Sequence, residues 1–253
     1  MRKQILNRKG MMVILAMIPF ILFSQKQKEG ITLNLHHYVG EKQLVLDDST
    51  YFNSLNQSFT ISKFNYYIGQ IHLIKTNGEE VILKEYHFVS EDEEKTESKK
   101  IILNNIPSGE YCAMSFIIGV DSLDNCSGSQ TGALDPINAM FWTWNTGYIF
   151  MKLEGKSAFS SATGNHLEYH IGGYKQPTNS IRAINLPFLS PIVIVKKAPA
   201  VNVHLKVDVL EILKSPNPID FNIKPTVNTV ADASIIANNY RDMFHFMKEA
   251  NEK

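Results

Sequence analysis

Apolar and polar residues alternate with a period of two along most of this chain, the pattern expected of half-buried strands. Ile31, Leu33, Leu35, His37 and Val39 share one face of the first such segment, while Thr32, Asn34, His36 and Tyr38 share the other. A second strand is predicted over residues 59–74, and residues 81–89 run back from it across Asn77-Gly78. An Asn-Gly pair between two apolar runs is a strong hairpin signal, because both residues tolerate the left-handed backbone of a tight turn. Residues 101–103 and 111–120 bracket a Pro107-Ser108-Gly109 turn, and further strands are predicted at 148–153, 167–171, 192–195 and 201–210. Residues 91–100 read as a charged, solvated connector, and residues 121–135 as a long polar loop.

The period changes near the end. Ile235, Ile236, Tyr240, Met243, Phe244 and Met247 fall near helical spacing, with Thr229 or Asp232 as caps, which predicts an amphipathic helix over residues 230–249. No internal repeat and no long Pro/Ser/Gly linker interrupts the chain. The expected architecture is mainly β: an antiparallel β-sandwich with one C-terminal amphipathic helix, forming a single domain over residues 25–253.

The first 24 residues stand apart. Arg2, Lys3, Arg8 and Lys9 precede an apolar run from residue 11 to residue 23, followed by Ser24 and a polar stretch. This is the layout of a cleaved secretory signal over residues 1–24, and the run is shorter than the roughly 20 apolar residues of a membrane span. A periplasmic or secreted product with no stable span after cleavage is therefore expected. The whole chain balances 25 basic against 25 acidic residues. The signal holds four bases and no acid, so the remainder is mildly acidic and offers no reason to bind nucleic acid.

An oxidising compartment permits a bridge between Cys112 and Cys126 without demanding one, since Cys112 also suits a small buried position. The sequence has no GxSxG elbow, Walker loop, HExxH or CxxCH, which removes the usual hydrolase, nucleotide, zinc-protease and cytochrome signatures. Candidate chemistry lies in histidine. His37 is flanked on its own face by Leu35 and Val39, and an inward imidazole needs a partner for each ring nitrogen, either a metal or a polar group. His166 and His170 share a face, being four apart on a strand. His72, His87, His204 and His245 show no pairing pattern, and His245 is assigned to the terminal helix. Asp121 and Asp135 suit turn caps or calcium, which prefers oxygen ligands.

Trp142 and Trp144 alternate with Thr143 just before Gly147-Tyr148. Their ordinary role is to bury large rings. The indole nitrogen is a donor only and binds no metal as it stands.

Several segments, in order, resemble the MbnP-like family of periplasmic copper-binding proteins, known from methanobactin operons and related to the secreted copper protein MopE. They are His36-His37-Tyr38-Val39-Gly40, Phe64-Asn65-Tyr66-Tyr67-Ile68, Gly119-Val120-Asp121-Ser122, Gly132-Ala133-Leu134-Asp135-Pro136, Met140 to Tyr148 with Lys152-Leu153-Glu154-Gly155, and His170-Ile171-Gly172-Gly173. The tryptophan segment is the most specific. The resemblance implies an exported β-rich domain that binds copper, as Cu(I) or Cu(II), through histidines. In some members a kynurenine, made from tryptophan by a dihaem cytochrome-c-peroxidase-like partner, takes part. Carried over residue by residue, it points to His37 and His170 as first-choice ligands, with His36 second; His166 matches no family motif and enters only by its same-face spacing from His170, as a third nitrogen. Trp142 or Trp144 is the candidate for oxidation. The function expected is copper acquisition, storage or delivery rather than catalysis; the alternative is a metal-free module recognising a glycan or protein through exposed aromatics.

Overall fold

The computed structural model describes residues 30–142, 147–227 and 229–247. Among these residues the strands form one five-stranded and one nine-stranded sheet, so the mainly β expectation holds. β1 (Ile31–Val39) belongs to the smaller sheet. In the larger one, β2 (Ser58–Lys75) and β3 (Glu80–Ser90) pair antiparallel from Asn65↔Ser90 to Ile74↔Glu80, which is the predicted hairpin. Gly78 takes a positive φ of 87° in its connection, and the Asn77 side chain accepts the Glu79 N–H at 3.0 Å. The turn therefore closes with Gly78 alone in the left-handed region and Asn77 serving as a side-chain acceptor.

β4 (Lys100–Leu103), β5 (Gly109–Ile118), β6 (Gly147–Lys156), β7 (His166–Gly172), β8 (Arg182–Ile194) and β9 (Val201–Asp208) follow. The larger sheet runs β8-β5-β2-β6-β7, and β9 and β4 both pair with β1 in the smaller one. Leu33 and Leu35 from β1, Phe64 and Tyr66 from β2, Leu153 from β6 and Tyr169 from β7 meet in one buried cluster between the sheets. Each such side chain, fully buried, stabilises the fold by about 1.5–3 kcal/mol. A second cluster occupies the opposite face of the larger sheet, where Tyr67, Tyr148 and Phe150 pack with Met140 and Trp142.

Three expectations need correction. The sandwich is not purely antiparallel: β1 and β9 run parallel from Ile31↔Val201 to Tyr38↔Asp208. Alternation looks the same in either direction, so strand orientation is set by where the chain crosses over and not by the pattern. The terminal helix starts as predicted, with Thr229 Oγ1 accepting the Asp232 N–H, but it covers Val230–Tyr240 instead of reaching residue 249. We call it α2, after the one-turn helix α1 (Ser122–Cys126) capped by Asp121. Beyond it, β10 (Phe244–Phe246) pairs antiparallel with β9, so Phe244 enters the main core and His245 lies on a strand opposite Lys206. Short apolar runs fit both periods, and the open edge of β9 decides between them. Finally, residues 93–99 form a 3₁₀ helix, and the connector they belong to is tied to the core where Glu91 meets His37.

Cys112 and Cys126 are both free, the first half-buried and the second exposed, so the permitted bridge is not formed. No helix among the described residues is long and apolar enough to cross a membrane. The segment read as a signal, residues 1–24, lies outside the described residues.

Candidate functional site

His37 points into the sandwich and is only 3% exposed. Its Nδ1 meets the Glu91 carboxylate, and its Nε2 stands 2.9 Å from the Tyr66 hydroxyl. A carboxylate only accepts, so Nδ1 carries the proton and Nε2 accepts from the Tyr66 O–H. Burial lowers the His37 pKa and the Glu91 hydrogen bond does not reverse it, which keeps the ring neutral. Burial raises Tyr66 well above the usual phenol range and keeps it a donor. Burial alone would raise Glu91, yet His37 and Lys99, whose Nζ donates at 3.0 Å, hold it below its ordinary value. With both nitrogens engaged, His37 offers no lone pair to a cation. Its carboxylate partner comes from the connector read as solvated, and nothing in the local pattern of residues 91–100 marks Glu91 as half-buried.

His170 lies elsewhere. On β7, Tyr169 and Ile171 belong to the main core, so His170 projects from the outer face of the larger sheet. It pairs across to Lys152, and Lys152 pairs in turn to Asn65, whereas Phe64 and Tyr66 on either side of Asn65 face inward against His37. The sheet itself therefore separates the two imidazoles. Their expected convergence is not found, because the resemblance supplies residues but not the face each occupies.

The outer-face arrangement is nevertheless suited to a ligand. His170 Nε2 stands 2.8 Å from Glu154 Oε1 and so carries a proton, while Nδ1, 3.7 Å from Glu168 Oε1, makes no hydrogen bond among the described residues and keeps its lone pair in the neutral ring. A carboxylate that orients an imidazole in this way is a common support for metal-ligating histidine. The hydrogen bond from His170, aided by Lys63, lowers the Glu154 pKa to about 2. Buried Lys152 completes the row; its Nζ donates to the Ala139 carbonyl at 2.6 Å, and burial lowers its pKa. Glu154 and Lys152 were missed as site residues, although the alternation of Lys152, Leu153 and Glu154 places both opposite the core.

Trp142 sits beside this row. It pairs with Gly147 at the start of β6, is 5% exposed, and lies so close to Gly172 that a Cβ there would stand 2.8 Å from the indole ring. Gly172 is two residues beyond His170, about 7 Å along the strand. A cleft of about 230 Å³ opens alongside, lined by Trp142, Tyr148, Gly173 and Tyr174. Trp144 lies outside the described residues.

The remaining candidates do not join His170. His166 is exposed and shares its face, but four residues along a strand is about 13 Å, too far to share an ion. His36 faces outward from the smaller sheet, where its Nε2 stands 2.8 Å from Nδ1 of His204, a pairing the sequence pattern did not reveal. Asp121 caps α1 and Asp135 caps residues 136–138, so both serve as turn caps. Among the described residues, no three His, Cys, Asp or Glu side chains are grouped to hold a metal ion. His170 thus fits as one imidazole donor of a copper site without completing it.

No curated protein matches the chain. A solved structure, MbnP from Methylosinus trichosporium, is similar at a TM-score of 0.49 and 11% identity, covering 72% of this chain and 76% of that one. The model of the MbnP family matches residues 28–231, most of the sequence, and the chain belongs to the MbnP family.

Proposed function

We propose that this chain is an exported copper-binding protein whose ligand on the outer face of the larger sheet is His170, and that it acquires, stores or delivers copper rather than catalysing a reaction. Family membership supplies the association with copper. The observation that carries the site is the hydrogen bond from His170 Nε2 to Glu154, which orients the ring and makes Nδ1, 3.7 Å from the Glu168 carboxylate, the nitrogen that would bind a cation near Trp142. Further donors would come from the tryptophan-bearing segment, where oxidation of Trp142 or Trp144 by a dihaem peroxidase-like partner would create an amine and a carbonyl. A signal at residues 1–24 would place the protein in the periplasm or outside the cell. Burial of Trp142 argues against a glycan- or protein-binding surface built on that ring.

Copper titration of the purified protein under reducing and oxidising conditions tests the assignment. Sub-micromolar binding should weaken by at least about tenfold in His170→Ala, by about 10–100-fold in Glu154→Ala, and remain unchanged in His37→Ala. Wild-type affinity in His170→Ala would overturn it. Protein isolated from its native host, compared with unmodified recombinant protein, shows whether tryptophan oxidation adds affinity.

A further inference from the structure

The outer face of the smaller sheet carries a histidine arrangement on different strands from the site above. His36 on β1 and His204 on β9 project outward, since Leu35 and Leu205 beside them belong to the core. Both are half-buried, and their facing nitrogens, Nε2 of His36 and Nδ1 of His204, stand 2.8 Å apart with the rings stacked at 19°. His245 on β10 projects from the neighbouring strand opposite Lys206, one pleat from His204. A diagonal neighbour in such a sheet lies about 7–8 Å away, and exposed His245 is not grouped with the pair around one ion.

We propose that His36 and His204 form a bidentate site for a divalent transition-metal ion that favours tetragonal geometry, Cu(II) foremost, with solvent filling the remaining positions. Two cis donors at about 2.0 Å from one ion stand about 2.8 Å apart, whereas tetrahedral donors stand about 3.3 Å apart. The observed 2.8 Å fits the first, and is also the length of the N–H···N hydrogen bond that now joins the rings. Cu(II) also heads the affinity order for nitrogen ligands among divalent first-row ions.

Local electrostatics permit the site. Lys206 lies on β9 directly across from both His36 and His245, but its Nζ is drawn off to Glu41 at 3.2 Å and Asp208 at 3.5 Å and lies over the Tyr38 ring. One ring now donates its N–H to the other. Binding moves that proton to the far nitrogen of the same ring by exchange with solvent, so no net proton is released.

Equilibrium dialysis against Cu(II), with electron paramagnetic resonance of the bound ion, tests this in the purified protein. In His170→Ala, one Cu(II) equivalent with nitrogen hyperfine structure should remain. Adding His36→Gln or His204→Gln to that background should weaken it at least about tenfold, with an unchanged melting temperature in metal-free buffer showing an intact fold. A Cu(II) titration indifferent to both glutamine substitutions, or no equivalent left in His170→Ala, would overturn the proposal. Because the two sites share no residue, failure of one leaves the other readable.

Discussion

His37 and His170 approach the same stretch of β2 from opposite faces of the larger sheet: His37 packs at 5.0 Å on the Phe64 ring, and His170 lies across Lys152 from Asn65. One imidazole joins the two sheets, and the other stands on the outer face against Glu154. Their roles are separable by mutation.

His37→Ala should destabilise the fold by about 2–4 kcal/mol, because it leaves the Tyr66 hydroxyl and the Glu91 carboxylate without their buried partner. A lowered urea midpoint with unchanged copper stoichiometry is the expected result. A variant as stable as wild type would remove the network from the list of structural supports.

Gly172→Ala should disturb the tryptophan site directly. The added Cβ would lie 2.6 Å from the Tyr148 carbonyl oxygen and 2.8 Å from the Trp142 ring, so backbone and indole must both shift. A cost of about 1–3 kcal/mol is expected from overpacking, together with a change in tryptophan emission.

Acid should weaken the wild type through Glu154. Its folded-state pKa is depressed from 4.5 to about 2, chiefly by the His170 hydrogen bond, so the stability it contributes is present above about pH 4.5 and is lost as pH falls toward 2. The stability advantage of wild type over Glu154→Gln, measured by denaturant melts, should shrink across that window. A pH-independent difference would count against the pairing.

Thiol labelling should find two free cysteines. Cys126, exposed beside the Tyr174 hydroxyl, should react promptly in the native protein, and half-buried Cys112 more slowly. Failure to label either one after unfolding without reductant would indicate a bridge.

The chain's own pattern determined the β architecture, the Asn77-Gly78 hairpin, the Thr229 helix start and the inward direction of His37, because periodicity and turn chemistry are local properties written in adjacent residues. The family resemblance rested on ordered short segments that the family match bears out. Tertiary structure alone decided that β1 lies parallel to β9, that Phe244 leaves the helix for a strand, and that Glu91 returns from a charged connector to satisfy His37. It also decided that His36 meets His204, 168 positions away. These are pairings between distant segments, fixed by which edge is open and which buried polar atom needs a partner. Alternation says that a side chain has a face; only the closed sandwich says what lies opposite it.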